Sequence, residues 1–492
     1  MLLKRFYDTK LAQASYLLGC AATGEALVID ANRDIDQYLD AARNENLHIT
    51  HVTETHIHAD FVSGSRELAD RAAARLFLSD EGDADWKYAF AADAGATLLH
   101  DSDSFMVGNL KIDVMHTPGH TPEHLSFMVT DTPATTRAMG VFTGDFIFVG
   151  DVGRPDLLEK AAGVEGSMVA GARSLFGSLQ RFRRLPDYLQ LWPGHGAGSA
   201  CGKSRGAMPS TTLGYEQIAN WAFGIVEEEA FIAAVLADQP EPPRYFAEMK
   251  RINKRGPRIL HGVPRPEHLQ PSRLRELVDA GATIIDTRSA ADYALAHVRG
   301  TLNIPTGSIF PTWAGWLLPY DRPLYLIVSE PLARTMDEVV RDLALIGLDR
   351  VAGYFGAEVV AASSAMGDRV TTIPQVTARD FATPGAADTD TVLIDVRGRT
   401  EWDAGHIPGA RHIPLGHLAD GVRDLPRTTP LVVQCQGGAR SAIAASVLEA
   451  HGFTSVTNLV GGLAAWLAAG KPVQHASDST DASPTTTARR VA

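Results

Sequence analysis

The sequence predicts an α/β protein in which one large unit is followed by two copies of a smaller one. Three observations carry this expectation. At 492 residues the chain is longer than a single hydrophobic core serves. Its first half alternates short β-rich runs, each ending in a polar loop, with helical stretches. Its second half aligns on itself without a gap, Asp286 on Asp395, His297 on His406, Gly300 on Gly409 and Ile304-Pro305 on Ile413-Pro414.

Taken in order, residues 26–29, 48–54, 111–116 and 138–143 read as strands running into polar loops, and chemistry is expected where they end. They belong to a large unit at 1–245. From 251 to 266 the composition turns basic and rich in Pro and Gly, so 246–265 reads as a linker. The repeat then gives domains at 266–368 and 372–473, whose later strands 325–328 and 431–434 also align. The Ser/Thr/Asp/Ala-rich stretch 474–492 lacks apolar periodicity and reads as a disordered tail.

Composition narrows the function. Against 45 Lys and Arg stand 58 Asp and Glu, a net charge of −13, which disfavours nucleic acid and anionic membranes as partners. No apolar run approaches the roughly 20 residues that span a bilayer. Lys4, Arg5 and Asp8 stand where a secretory signal needs its apolar stretch, so a cytoplasmic protein is expected. The cysteines, Cys20, Cys201 and Cys435, are odd in number and far apart, which suits reduced thiols.

Four loops of the large unit offer metal-ligating side chains: Thr55-His56-Ile57-His58-Ala59-Asp60, Thr117-Pro118-Gly119-His120, Thr143-Gly144-Asp145 and Pro193-Gly194-His195. A single such histidine is most often structural, but four in this order resemble the metallo-β-lactamase fold, an αββα sandwich, over nearly all of 1–245. The family motif is His-x-His-x-Asp-His, whose closing Asp and His help hold a second metal, and this chain has Phe61 in the last place, where a phenyl ring cannot ligate. A mononuclear site is therefore favoured.

The mononuclear branch of the fold is the persulfide dioxygenases. The resemblance implies one Fe(II) per chain held by His56, His120 and Asp145, with His58, Asp60 and His195 bracing the pocket. Two imidazoles and one carboxylate on one face of iron form the facial triad of non-haem oxygenases, leaving positions for sulfur and O₂. Gly153-Arg154-Pro155-Asp156, soon after Asp145, also resembles that branch. Arg154 either orients the substrate's anionic group or pairs structurally with Asp151 or Asp156. Cys201, beside Lys203 and after the His195 loop, is either a thiolate acting on substrate or a small buried residue. Cys20, in an apolar run, reads as core.

In the last domain the strand 431–434 runs into Cys435-Gln436-Gly437-Gly438-Ala439-Arg440, followed by a helical stretch. A cysteine between strand end and helix start is held by backbone amides and a helix N-terminus, which stabilise a thiolate or persulfide. With Asp395, Arg397, Glu401 and His406, the domain resembles a rhodanese, and the first copy is a second rhodanese-like α/β domain. Four residues between Cys435 and Arg440 match the rhodanese loop, where related phosphatases have five. Cys435 is then the nucleophile. Arg440 and the amides of Gln436, Gly437, Gly438 and Ala439 hold the anion, and Arg397 stands at the entrance or supports it. In the first copy Ser329 aligns with Cys435, and Pro331 and Leu332 with the two glycines, so that copy is expected to be silent.

The expected activity oxidises a low-molecular-weight thiol persulfide, of glutathione, coenzyme A or another thiol, with O₂ to sulfite, while Cys435 passes sulfane sulfur to or from thiosulfate. Two alternatives stand beside it: a glyoxalase-II-like zinc thioester hydrolase fused to a rhodanese, and a non-catalytic sulfur carrier or redox sensor. A homo-oligomer is left open.

Overall fold

The computed structural model describes residues 1–160, 166–198, 208–329, 331–367, 370–381 and 390–475. Cys201, Lys203 and most of the 474–492 stretch lie outside them. By their internal contacts the residues fall into two compact units. The first comprises Met1–Arg265, Ala314–Trp316 and Asp337–Asp349; the second holds the remainder.

The first unit contains two six-stranded sheets. One runs in the order β1 (Leu2–Asp8), β2 (Gln13–Cys20), β3 (Glu25–Ile29), β4 (His48–Thr53), β5 (Arg75–Ser79), β6 (Thr97–Leu99). The other uses β7 (Ser104–Val107), β8 (Leu110–His116), β9 (Leu125–Asp131), β10 (Gly140–Gly144), β13 (Gln190–Pro193) and β14 (Thr211–Thr212), in the order β14-β13-β10-β9-β8-β7. A separate two-stranded ribbon is formed by β11 (Ile147–Phe148) and β12 (Asp151–Val152).

Strand alternation sorts the side chains. Ala14, Tyr16 and Leu18 of β2 meet Leu110, Ile112 and Val114 of β8 in one core between the sheets, while Leu17 joins a second core on the outer face. That outer core is closed by Tyr38 and Leu68 of the helices Asp36–Asn44 and Ser65–Ala72. On the other outer face Leu175, Leu179 and Phe182 of the helix Ser167–Phe182 pack against Val141 and Leu191. The result is the four-layer αββα sandwich. β4, β8, β10 and β13 all carry their polar loops toward one end, which assembles the site.

Residues 246–265, expected as a linker, begin with a helix, Tyr245–Arg255. Tyr245, Phe246, Met249 and Asn253 form its buried face, so its basic residues are only the outer side of an amphipathic element.

The second unit holds two five-stranded parallel sheets. The first comprises β15 (Glu267–His268), β16 (Thr283–Asp286), β18 (Leu302–Asn303), β19 (Leu324–Val328) and β20 (Val351–Gly356) in the order β15-β20-β19-β16-β18. The second comprises β22 (Gln375–Val376), β23 (Val392–Asp395), β24 (Arg411–His412), β25 (Leu431–Gln434) and β26 (Val456–Leu459) in the order β22-β26-β25-β23-β24. β17 (His297–Val298) and β21 (Val370–Thr371) pair antiparallel beside the first sheet's domain, and the repeated sequence repeats the five-stranded topology. Among the described residues no helix is long and apolar enough to cross a membrane.

Candidate metal centre and sulfur loop

The loop after β4 is fixed from three sides. Asp30 accepts hydrogen bonds from the Thr55 amide (2.7 Å) and hydroxyl (3.0 Å), and Glu123 accepts from the Ile57 amide (2.8 Å). The Asn253 side chain donates to the carbonyls of His58 (2.8 Å) and Phe61 (2.7 Å) and accepts from the Ser63 amide (2.9 Å). The Val62 amide donates to Leu345 O at 2.7 Å, within the same unit. These braces hold His56 toward His120 and Asp145.

Ligand geometry follows from the hydrogen bonds. The Thr55 hydroxyl gives its proton to Asp30, so toward His56 Nδ1, 3.0 Å away, it acts as acceptor. His56 Nε2 is left with a bare lone pair, 4.0 Å from Asp145 Oδ2. His120 Nε2 lies 3.5 Å from the same oxygen, which is buried without a hydrogen-bond partner. Burial, and then the neighbouring imidazoles, push His56 well below the ordinary histidine pKa; burial also leaves His120 lowered, against the pull of Asp145 and Asp60. Neutral imidazoles beside an unpartnered carboxylate oxygen form a donor set for a cation. Donors about 2.1 Å from one ion lie about 3.0–3.4 Å apart, so the three atoms fit an ion with a small inward adjustment.

The remaining histidines divide differently. His58 Nε2 lies 3.2 Å from Asp30 Oδ1; burial works against its charge, but Asp30, Glu54 and Asp60 outweigh that and lift it to about 9. His58 is thus tied to Asp30 and is not among the three converging donors. Phe61 is fully buried, its ring 4.3 Å from that of His58. His195 Nε2 lies 3.1 Å from Asp60 Oδ2 and 3.5 Å from Asp145 Oδ1. Burial raises the Asp60 carboxyl, yet the His195 imidazole more than offsets this and holds it below the usual range.

Arg154 is fully buried and forks onto Asp156 through Nε (3.0 Å) and Nη2 (2.8 Å), and Nη2 also donates to Pro240 O at 2.6 Å. The pair with Asp156 is one of its two expected arrangements. Sequence reasoning missed His124, whose Nε2 accepts the Asp145 amide at 3.1 Å and whose ring stacks on His56. It also missed Asp30, Glu123 and Asn253. His124 alone carried a local signal, four residues after His120; the others reach the site through the fold.

In the second unit Cys435 is buried at the end of β25, and its Sγ accepts the Gly438 amide at 3.1 Å. Gly438 has φ 104°, a region open to glycine, and it caps the helix Ala439–Ala450. The amides of Leu463 and Ala464 tie down the Cys435 and Gln436 carbonyls at 2.8 and 3.0 Å. Gln436, Gly437 and Ala439 form an exposed rim around the sulfur. Arg440 forks onto Glu401 at 2.6 and 2.7 Å, which raises the arginine pKa and lowers that of the carboxyl. Arg397 pairs with Asp395 and reaches Gln436 Oε1 at 3.4 Å. In the first copy Arg288 pairs with Asp286 in the same way, while Ser329 stands at the end of β19. Glu330 and the side chains of Leu332, Ala333 and Arg334 lie outside the described residues.

The chain matches two families, the metallo-beta-lactamase superfamily at residues 8–195 and the rhodanese-like domain at residues 380–469. A Staphylococcus aureus protein whose crystal structure is described as a metallo-beta-lactamase is 45% identical, with a TM-score of 0.66, over 72% of this chain and 99% of that one. A probable metallo-hydrolase of Burkholderia pseudomallei is 29% identical over 220 residues, 40% of this chain and 72% of its own. The probable adenylyltransferase/sulfurtransferase MoeZ of Mycobacterium tuberculosis is 33% identical over 177 residues, 35% of this chain and 43% of its own. This chain spans less than half the length of that last relative. Fold, motifs and these likenesses together assign the chain to the metallo-beta-lactamase superfamily, fused to a C-terminal rhodanese-like domain.

Proposed function

We propose that the chain couples two sulfur reactions: oxidation of a low-molecular-weight thiol persulfide at His56, His120 and Asp145, and sulfane-sulfur transfer at Cys435. The observation that carries the first is the set of three donors found among the described residues, two neutral imidazoles and an unpartnered carboxylate oxygen, with Phe61 packed on His58 where a further imidazole would be needed. Fe(II) bound there supplies coordination of the persulfide sulfur and activation of O₂. The overall reaction is RSSH + O₂ + H₂O → RSH + SO₃²⁻ + 2H⁺. The protein's part is to present bare Nε2 atoms, which Thr55 secures for His56, and to hold Asp145 in place through its amide's hydrogen bond to His124. His58, held by Asp30 at 3.2 Å, supports the loop that carries His56.

At the second centre the Cys435 thiolate attacks the outer sulfur of thiosulfate. The S–S bond breaks and its electron pair leaves with sulfite, while the new persulfide stays under the Gly438 amide. The likeness to a relative named a sulfurtransferase supports this half.

A second reading, zinc thioester hydrolysis, is favoured by one observation: His195 Nε2 lies between two carboxylates, 3.1 Å from Asp60 and 3.5 Å from Asp145, where a second ion would sit. Metal analysis of protein purified without added metal, with O₂ uptake on adding glutathione persulfide, separates the two. One iron per chain with rapid uptake is the expected result. Two zinc ions with thioester cleavage would replace the dioxygenase reading, and neither activity would leave a sulfur carrier.

A further inference from the structure

The Cys435 loop borders a cavity of about 610 Å³ that both rhodanese-like copies build. This lies within the range of roughly 300–1,000 Å³ that holds a small organic ligand. The silent copy contributes Ala290, Ala294 and Leu295 from the helix Ala290–Leu295, together with Asn303. The active copy contributes Gly437, Gly438, Ala442, Val460 and Asn458, with Ile373 and Gln375 from the connecting segment. Gly438 both lines the cavity and donates to Cys435 Sγ at 3.1 Å, so the cavity ends beside the sulfur.

Three features define what fits. Among the described residues no lining side chain carries a formal charge, so a charged occupant would lose hydration without compensation. Leu295 and Val460 are 75% and 45% exposed, large apolar side chains at opposite walls that an apolar chain would cover. Two buried acceptors lack donors: Asn303 Oδ1 and Asn458 Oδ1, on residues 0% and 6% exposed. Asn303 spends its Nδ2 on the Asp286 and Arg288 carbonyls, and Asn458 spends its own on Gln375 Oε1, which turns both Oδ1 atoms to the acceptor role. A ligand with amide N–H groups along an uncharged chain satisfies all three.

We infer that this cavity binds the neutral amide-bearing arm of an acceptor thiol, with the silent copy forming the wall that selects it. The inference rests on the sulfurtransferase reading and names its substrate class. In the transfer the acceptor thiolate attacks the outer sulfur of the Cys435 persulfide. The R–S–SH bond forms, the Sγ–S bond breaks, and its electron pair returns to Cys435 as thiolate. No oxidant or reductant enters.

The test uses full-length protein loaded with thiosulfate, with loading read by mass spectrometry as one added sulfur atom. Unloading is then followed with pantetheine, whose arm is neutral and carries two amides, with glutathione, which is charged, and with sulfite, which has no arm. Half-saturation by pantetheine is expected at a concentration at least about tenfold below that of glutathione, equivalent to 1.4 kcal/mol. Leu295→Glu and Val460→Glu, both at exposed positions, are expected to lower the efficiency of pantetheine relative to sulfite about tenfold, through the half-saturating concentration rather than the maximal rate. Equal half-saturation by the two thiols, or an unchanged pantetheine-to-sulfite ratio in both variants, would overturn the inference. Wild-type protein that never loads sulfur would overturn the sulfurtransferase reading itself.

Discussion

The two repeated domains share a strand order, and each buries an Arg-Asp pair at the end of the strand beside its central one, Arg288 with Asp286 after β16 and Arg397 with Asp395 after β23. They differ where chemistry would occur. One ends its sulfur-loop strand in Cys435 under the Gly438 amide; the other has Ser329 followed by Pro331, which has no amide to give. The difference teaches that scaffold and reactivity are separable: a few loop positions decide the reaction while the core preserves the fold.

The largest effect is expected at the sulfur itself. Cys435→Ser should abolish persulfide loading from thiosulfate and all sulfur transfer, leaving persulfide-dependent O₂ uptake in place, because the metal donors belong to the other compact unit. A surviving adduct that maps to Cys201 would move the nucleophile to the first domain.

Next comes the shared scaffold. Arg397→Met and Arg288→Met each strand a buried aspartate, so each should destabilise its copy by about 3–5 kcal/mol in denaturant unfolding. A large cost in one copy and none in the other would break the equivalence of the two scaffolds.

A smaller effect is expected from Gly438→Ala. The nearest heavy atom to the added Cβ is at an ordinary 3.5 Å, so the cost comes from φ 104° and should be about 1–2 kcal/mol. Slower loading with thiosulfate should accompany it as the Gly438 amide shifts from the sulfur. Loading at the wild-type rate would show that this amide does not hold the persulfide.

The smallest is none at all. Ser329→Cys should acquire no sulfur from thiosulfate, since a thiol without the surrounding amides lacks the stabilised anion. An adduct at that position would mean the cysteine alone makes the difference between the copies.

Much of this was legible in the chain. The repeat was visible because the Asp-x-Arg and His-x-x-Gly positions serve the same contacts twice. His56, His120 and Asp145 were visible because each ends a strand in a recurring motif. Asn253 was not, since it reaches the His58 and Phe61 carbonyls from nearly two hundred residues away, on a helix whose Arg251, Lys254 and Arg255 masked its apolar face. The Asp337–Asp349 segment was invisible for the same reason: by sequence it belongs to the silent copy, by contacts to the first unit, where Leu345 O holds the Val62 amide. Asp30 and Glu123 brace the motif through tertiary hydrogen bonds that no local pattern announces.

The central claim is that one chain carries two chemically independent centres, a mononuclear iron site and the Cys435 loop. His120→Ala tests it most directly when metal content, O₂ uptake with glutathione persulfide and sulfur loading of Cys435 are measured on the same preparation. The account predicts loss of iron and of O₂ uptake with full loading at Cys435. Retention of one iron with undiminished O₂ uptake, or loss of loading in a folded protein, would contradict it.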